Sequence, residues 1–120
     1  MVSNMQEYAL HEKVRAYLTK IPFVKIKCYE YKIGNGVGDF LLENVKTKSL
    51  SVVEVKYIDL YSTGKTARVR RNQQRNKVRK QAFQYGNYVH EKYPERRLNI
   101  FIYTNETGFL KLGVIQSTYK

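Results

Sequence analysis

The stretch "LSVVEVKYIDL" (50–60) constrains the fold of this chain more than any other part of it. Apolar residues fall on both sides of it for most of its length, and its valines favour extended backbone. A strand apolar on both faces needs a neighbour at each edge and a covering layer above and below. Helices supply such layers, so the chain reads as an α/β domain with this strand near the centre of the sheet. Side chains alternate along a strand, so Leu50, Val52, Glu54, Lys56 and Ile58 share one face. Glu54 and Lys56 are then neighbours among aliphatic groups, and burying either charge alone is costly.

The remaining segments complete the architecture. "SNMQEYALHEKVRAYLTK" (3–20) reads as a helix, with Ser3 and Gln6 spaced as a capping box. Leu10, Val14, Tyr17 and Leu18 recur at helical spacing and predict one buried stripe. "FVKIKCYEYKI" (23–33) alternates and is rich in aromatic and β-branched residues, which marks a strand. "GNG" turns the chain into a second strand, "VGDFLLEN" (37–44). After the central strand, a helix begins near Ala67 and runs towards Tyr93, with Val78, Ala82, Tyr85 and Val89 as its apolar stripe. Pro94 ends it. "RLNIFIYTNE" and "FLKLGVIQS" are the fourth and fifth strands. The expected order is helix, three strands, helix, two strands, in a single domain over residues 1–120. The sheet is mixed and central, and helices flank it.

Charge narrows the partner. Lys and Arg total 22 against 10 Asp and Glu, a formal net charge of +12. Such an excess on a small domain fits a polyanion, above all nucleic acid. Lys65, Arg68, Arg70, Arg71, Arg75, Lys77, Arg79 and Lys80 cluster in and before the second helix as candidate phosphate contacts. Those near Gln74, Lys77 and Gln81 approach the side of the acids. Arg68, Arg75 and Arg79 form another ridge, suited to flanking duplex or a partner subunit. Cys28 is the only cysteine, which excludes an internal disulfide and points to a reducing, intracellular setting, cytoplasm or nucleus. No apolar run is long enough to span a bilayer, so no membrane partner is expected.

Asp39 opens the strand next to the one carrying Glu54, so the two acids can converge. Two carboxylates and a backbone carbonyl suit Mg²⁺, which keeps several waters. Lys56 beside such an ion could orient or deprotonate one of them. The other reading of these residues is a turn-capping Asp39 and an exposed Glu54–Lys56 charge ladder.

The pattern resembles the PD-(D/E)XK nuclease superfamily over nearly the whole chain. "GDF" with Asp39 resembles its metal-binding aspartate, and "EVK" its (D/E)xK; Gly38 stands where a proline usually precedes the aspartate. The resemblance implies a restriction-endonuclease-like core. It also implies a glutamate on the first helix facing the site. Glu7 falls on the side of Leu10, Val14 and Leu18, while Glu12 falls opposite and should be solvated. Gln81 and Tyr85, four apart on one helix face, resemble the QxxxY motif of the RecB-like branch. Under this resemblance Asp39, Glu54 and the Val55 carbonyl hold Mg²⁺ or Mn²⁺. Lys56, Glu7, Gln81 and Tyr85 complete the catalytic set.

The expected activity is Mg²⁺-dependent hydrolysis of DNA, structure-specific or sequence-independent, as an endonuclease sooner than an exonuclease. RNA as substrate and a homodimer stay open. The competing class is a non-catalytic nucleic-acid-binding protein on the same fold. His11 and His90 lack metal-ligand spacing and are read as structural. The "GNGVGD" string is not followed by a helix, which removes a dinucleotide reading.

Overall fold

The structure is a computed structural model that describes residues 2–33 and 36–118; the side chains of 2–4 and 31–37 lie outside the description. The elements are α1 (Val2–Leu18), β1 (Val24–Ile33), β2 (Gly36–Asn44), β3 (Leu50–Lys56), α2 (Lys65–Lys92), β4 (Leu98–Thr104) and β5 (Gly108–Ile115). The strands form one sheet in the order β1-β2-β3-β4-β5. Neighbours are antiparallel except β3 and β4, which run parallel. That is the pair joined through α2, because parallel strands need a long crossover. The result is a mixed α/β fold with β3 in the middle of its sheet.

The two helices cover opposite faces. On one, Val78, Ala82, Tyr85 and Val89 of α2 pack on Leu41, Leu50, Val52, Leu98, Ile100 and Ile102. On the other, Leu10, Val14 and Leu18 of α1 pack on Phe40, Leu42, Val53 and Val55. Both faces of β3 are therefore buried, as its apolar run requires, and Glu54 lies on the α2 side.

Some local expectations are corrected. Tyr17 is 55% exposed, its ring 5.3 Å from that of Phe109, so the α1 stripe is Leu10, Val14 and Leu18 alone. Helix α1 begins at Val2, which places Ser3 inside the first turn and not at the cap. Helix α2 starts at Lys65, after Gly64 at φ 102, a conformation glycine adopts without a Cβ penalty. Strand β3 stops at Lys56, whereas the apolar pattern ran on to Leu60. Ile58 is still fully buried, and Asn105 holds its backbone through bonds of 2.7 and 2.8 Å. A register shift between Ile26 and Cys28 breaks the simple alternation of β1. The "GNG" turn falls on Gly34 and Asn35, outside the described residues. Among the described residues no helix is long and apolar enough to cross a membrane.

Candidate functional site

The β2–β3 ladder ends at the pair Phe40↔Val53. Beyond it, each strand's open backbone donor meets an acid from the other strand. Asp39 N–H donates to Glu54 Oε2 at 3.0 Å, and Val55 N–H donates to Asp39 Oδ2 at 2.7 Å. The two carboxyls thus cross between the strands on the α2 side of the sheet. An extended residue turns its N–H and C=O to the same edge, so the Val55 carbonyl also faces β2.

Burial makes this pair electrostatically tense. The Glu54 residue is 5% exposed and the Asp39 side chain 16%. Burial, and then the negative charge of Asp39, push Glu54 up to about 9. Burial also raises Asp39, although the Val55 N–H bond and the nearby His11 oppose that rise. At neutral pH the pair shares a proton that Glu54 holds, because two adjacent buried carboxylates cannot both ionise.

A cleft of about 570 Å³ opens over the pair, walled by both helices. From α2 come Gln74, Lys77, Val78, Gln81 and Tyr85, spaced three and four apart and hence on one stripe. Tyr85 is buried; burial and then the charges of Glu54 and Asp39 raise its phenol. Gln74 Oε1 is buried with no hydrogen-bond partner among the described residues. From α1, Glu7 Oε1 accepts the Tyr57 N–H at 3.2 Å and lies 3.4 Å from Lys56 Nζ. His11 Nε2 stands 3.9 Å from Asp39 Oδ2, and His11 Nδ1 lies 3.2 Å from the Tyr29 hydroxyl.

The structure therefore gathers Glu7, Asp39, Glu54, Val55, Lys56, Gln81 and Tyr85 around one cleft. The Glu54–Lys56 charge ladder of the other reading is not formed: the ion pair of Lys56 is with Glu7, because Lys56 sits at the strand end where α1 reaches it. Glu12 lies away from the cleft, 3.8 Å from Arg15, its side chain 44% exposed. The basic run does not form one continuous surface. Lys77 lines the cleft, and Lys65, Arg68, Arg70, Arg79 and Lys80 are exposed outside it. Arg71 is tied to the carbonyls of Asp59 and Ser62, at 3.3 and 2.6 Å. Arg75 is paired with Glu106 at the turn after β4. These two arginines anchor α2.

His11 and Tyr29 are residues that sequence reasoning did not place here. The signal for His11 was its spacing of four from Glu7, on one helix face. Tyr29 had no such signal: the bulge in β1 pairs it with Phe40 and turns it to the α1 side.

The donor chemistry fits a hard divalent cation. Its oxygens are two acids already pressed together and a backbone carbonyl, which suit Mg²⁺ or Mn²⁺ over softer metals. Among the described residues no three side chains of His, Cys, Asp or Glu gather to hold an ion, so a carbonyl and waters would complete the shell. Comparison with family models, curated proteins and solved structures finds no match to this chain.

Proposed function

We propose that the protein is a divalent-cation-dependent nuclease of the PD-(D/E)XK kind, hydrolysing DNA phosphodiester bonds without reading base sequence. The crossed pair of buried carboxyls carries this reading. An amide in place of either acid would accept the same backbone N–H without the like-charge conflict. Two acids are worth keeping there if a cation takes up both charges. The order of α1, β1–β3, α2 and β4–β5 supports a restriction-endonuclease-like core, and Gln81 with Tyr85 supports the RecB-like branch.

Asp39, Glu54 and the Val55 carbonyl would hold Mg²⁺ or Mn²⁺. Bound there, the ion supplies charge that polarises a phosphodiester and acidifies a water. The protein's own groups do the rest. Glu7 holds the Lys56 ammonium at the edge of the cleft. Lys56 faces the negative charge that develops on the phosphate oxygens. Gln81 and Tyr85 orient the scissile nucleotide from the α2 wall, and Lys77 neutralises a neighbouring phosphate.

Plasmid nicking with Mg²⁺, Mn²⁺ or EDTA tests the reading. The wild type should nick with either metal and not in EDTA. Glu54→Gln and Asp39→Asn should abolish nicking and keep nucleic-acid binding. Lys56→Ala should slow it by roughly 10²–10³-fold, the usual loss of one charge-stabilising donor. Linear, single-stranded, flapped and four-way substrates then rank the structure preference. Tight binding with no cleavage in either metal sinks the reading and leaves a non-catalytic nucleic-acid-binding protein.

A further inference from the structure

A second polar cleft, about 450 Å³, lies at the opposite end of the sheet. Its walls include Thr47, Lys48 and Ser49 from the β2–β3 turn, Arg97 and Asn99 at the start of β4, and Lys111 on β5. Asn44 Oδ1 accepts the N–H groups of Lys46 and Thr47, at 2.9 and 3.0 Å, and so fixes the turn that carries Lys48. Four cations line the cleft (Lys48, Arg96, Arg97 and Lys111), and one acid, Glu95. Arg96 is taken by Glu43 at 2.5 Å and lies 4.0 Å from Glu95. Among the described residues no acid stands within ion-pair reach of Lys48, Arg97 or Lys111. Three cations that line one cleft outside any ion pair repel one another, although Glu43 offsets part of the charge of Lys48, and an anion in the cleft would relieve that repulsion.

The half-buried rings beside this cleft, which pack against the core under α1, point to the kind of anion. Asn99, Phe101 and Tyr103 alternate onto the α1 side of β4; Phe101 pairs with Lys111 and Tyr103 with Phe109. The Tyr103 and Phe109 rings meet edge to face at 4.7 Å, and the exposed Tyr17 stands 5.3 Å from Phe109. The paired run from Leu50↔Leu98 to Lys56↔Thr104 separates the clefts by about 20 Å at roughly 3.3 Å per residue. Part-exposed rings beside cations outside any ion pair suit single-stranded nucleic acid, whose bases stack on ring faces while phosphates meet the charges.

We propose that Lys48, Arg97 and Lys111 form a second phosphate-binding site, which holds the backbone of a single nucleic-acid strand at the end of the sheet away from the Asp39–Glu54 cleft. This binding does not rest on the nuclease reading. The probe is a fluorescein-labelled oligothymidylate of ~12 nucleotides, about 40 Å even at the 3.4 Å spacing of stacked strand. Anisotropy titrations in EDTA, at several salt concentrations, compare wild type with Lys48→Ala/Arg97→Ala/Lys111→Ala. Loss of three contacts should make the slope of log affinity against log salt shallower by about 2, at ~0.7 per single-strand phosphate. Lys111→Gln alone should lower it by about 0.7 and guards against a triple variant that does not fold. Lys48→Arg/Lys111→Arg should restore the wild-type slope. An unchanged slope and affinity in Lys111→Gln and in a folded triple variant overturn the proposal. So does a cleft that takes an oligoglutamate peptide and ignores the oligonucleotide. Absence of nicking with this salt response intact would strike the nuclease reading alone.

Discussion

Glu54 sets how this protein should respond to pH. Its ordinary value is 4.5, and in the fold it is pushed up to about 9. Between those values the folded state holds a proton that the unfolded chain has released. The stability contributed by this protonated, buried acid is therefore complete below its unfolded value and is lost as pH rises through about 9. Asp39 shifts in the same direction. In EDTA the unfolding midpoint should fall steadily as pH rises from about 5 to about 9, and Glu54→Gln should flatten that fall. Thermal melts across this range decide it; equal slopes in the two proteins would show that the titrating group lies elsewhere. Strand parity made part of this legible, since it put Glu54 on a buried face and Asp39 on the neighbouring strand. It did not show that Lys56 would pair with Glu7, or that His11 would reach Asp39. Those contacts depend on where β3 ends and how α1 lies across it, which no local pattern encodes.

Helix α2 does more than one job, and its arginines and lysines divide the work. Arg75 pairs with Glu106, the two side chains being 36% and 29% exposed. A pair so accessible is screened by solvent and adds little to stability. Arg75→Ala should lose a little stability and keep nucleic-acid affinity near wild type. Lys77→Ala should do the reverse, which denaturant melts and anisotropy would separate. The apolar stripe Val78–Ala82–Tyr85–Val89 was legible from its 3.6-residue period, but the role of Gly86 beside it was not. A Cβ at Gly86 would sit 2.8 Å from Ile100 Cδ1 and 3.0 Å from Cγ1, so α2 approaches β4 as closely as a bare Cα allows. Alanine gains ~1 kcal/mol in helix propensity but overpacks a buried site at a cost of about 1–3 kcal/mol. Gly86→Ala should be destabilised by about 1 kcal/mol. Because Tyr85 and Gln81 ride on the same turns, its nicking rate should fall further than its binding. A stabilised variant would show that Ile100 simply turns aside.

At the scale of the molecule, the cleft exists because two helices on opposite faces of one sheet both reach past the same end of it. Glu7 and His11 come from α1, Gln81 and Tyr85 from α2, and β3 carries the acid between them. The element order and the central place of β3 could be read from a strand apolar on both sides and a long helix before the fourth strand. The bulge in β1 could not, since an extra residue changes pairing without changing composition. Both clusters meet through β3, so a ligand gripping the end of that strand should stabilise the whole domain. A cation that binds only the folded state adds RT ln(1 + [L]/Kd), about 2.7 kcal/mol at a hundredfold excess over Kd. It must displace the proton that Glu54 holds, so binding releases protons and strengthens as pH rises towards about 9. Mg²⁺ or Mn²⁺ should therefore raise the unfolding midpoint, more at pH ~8.5 than at pH ~6.5, and reverse the alkaline loss of stability expected in EDTA. Glu54→Gln and Asp39→Asn should lose the metal-induced rise, whereas Lys56→Ala should keep it, since its ammonium is no ligand. A midpoint that ignores both metals in the wild type at pH ~8.5 would mean that the two acids meet for some other reason than a shared ion.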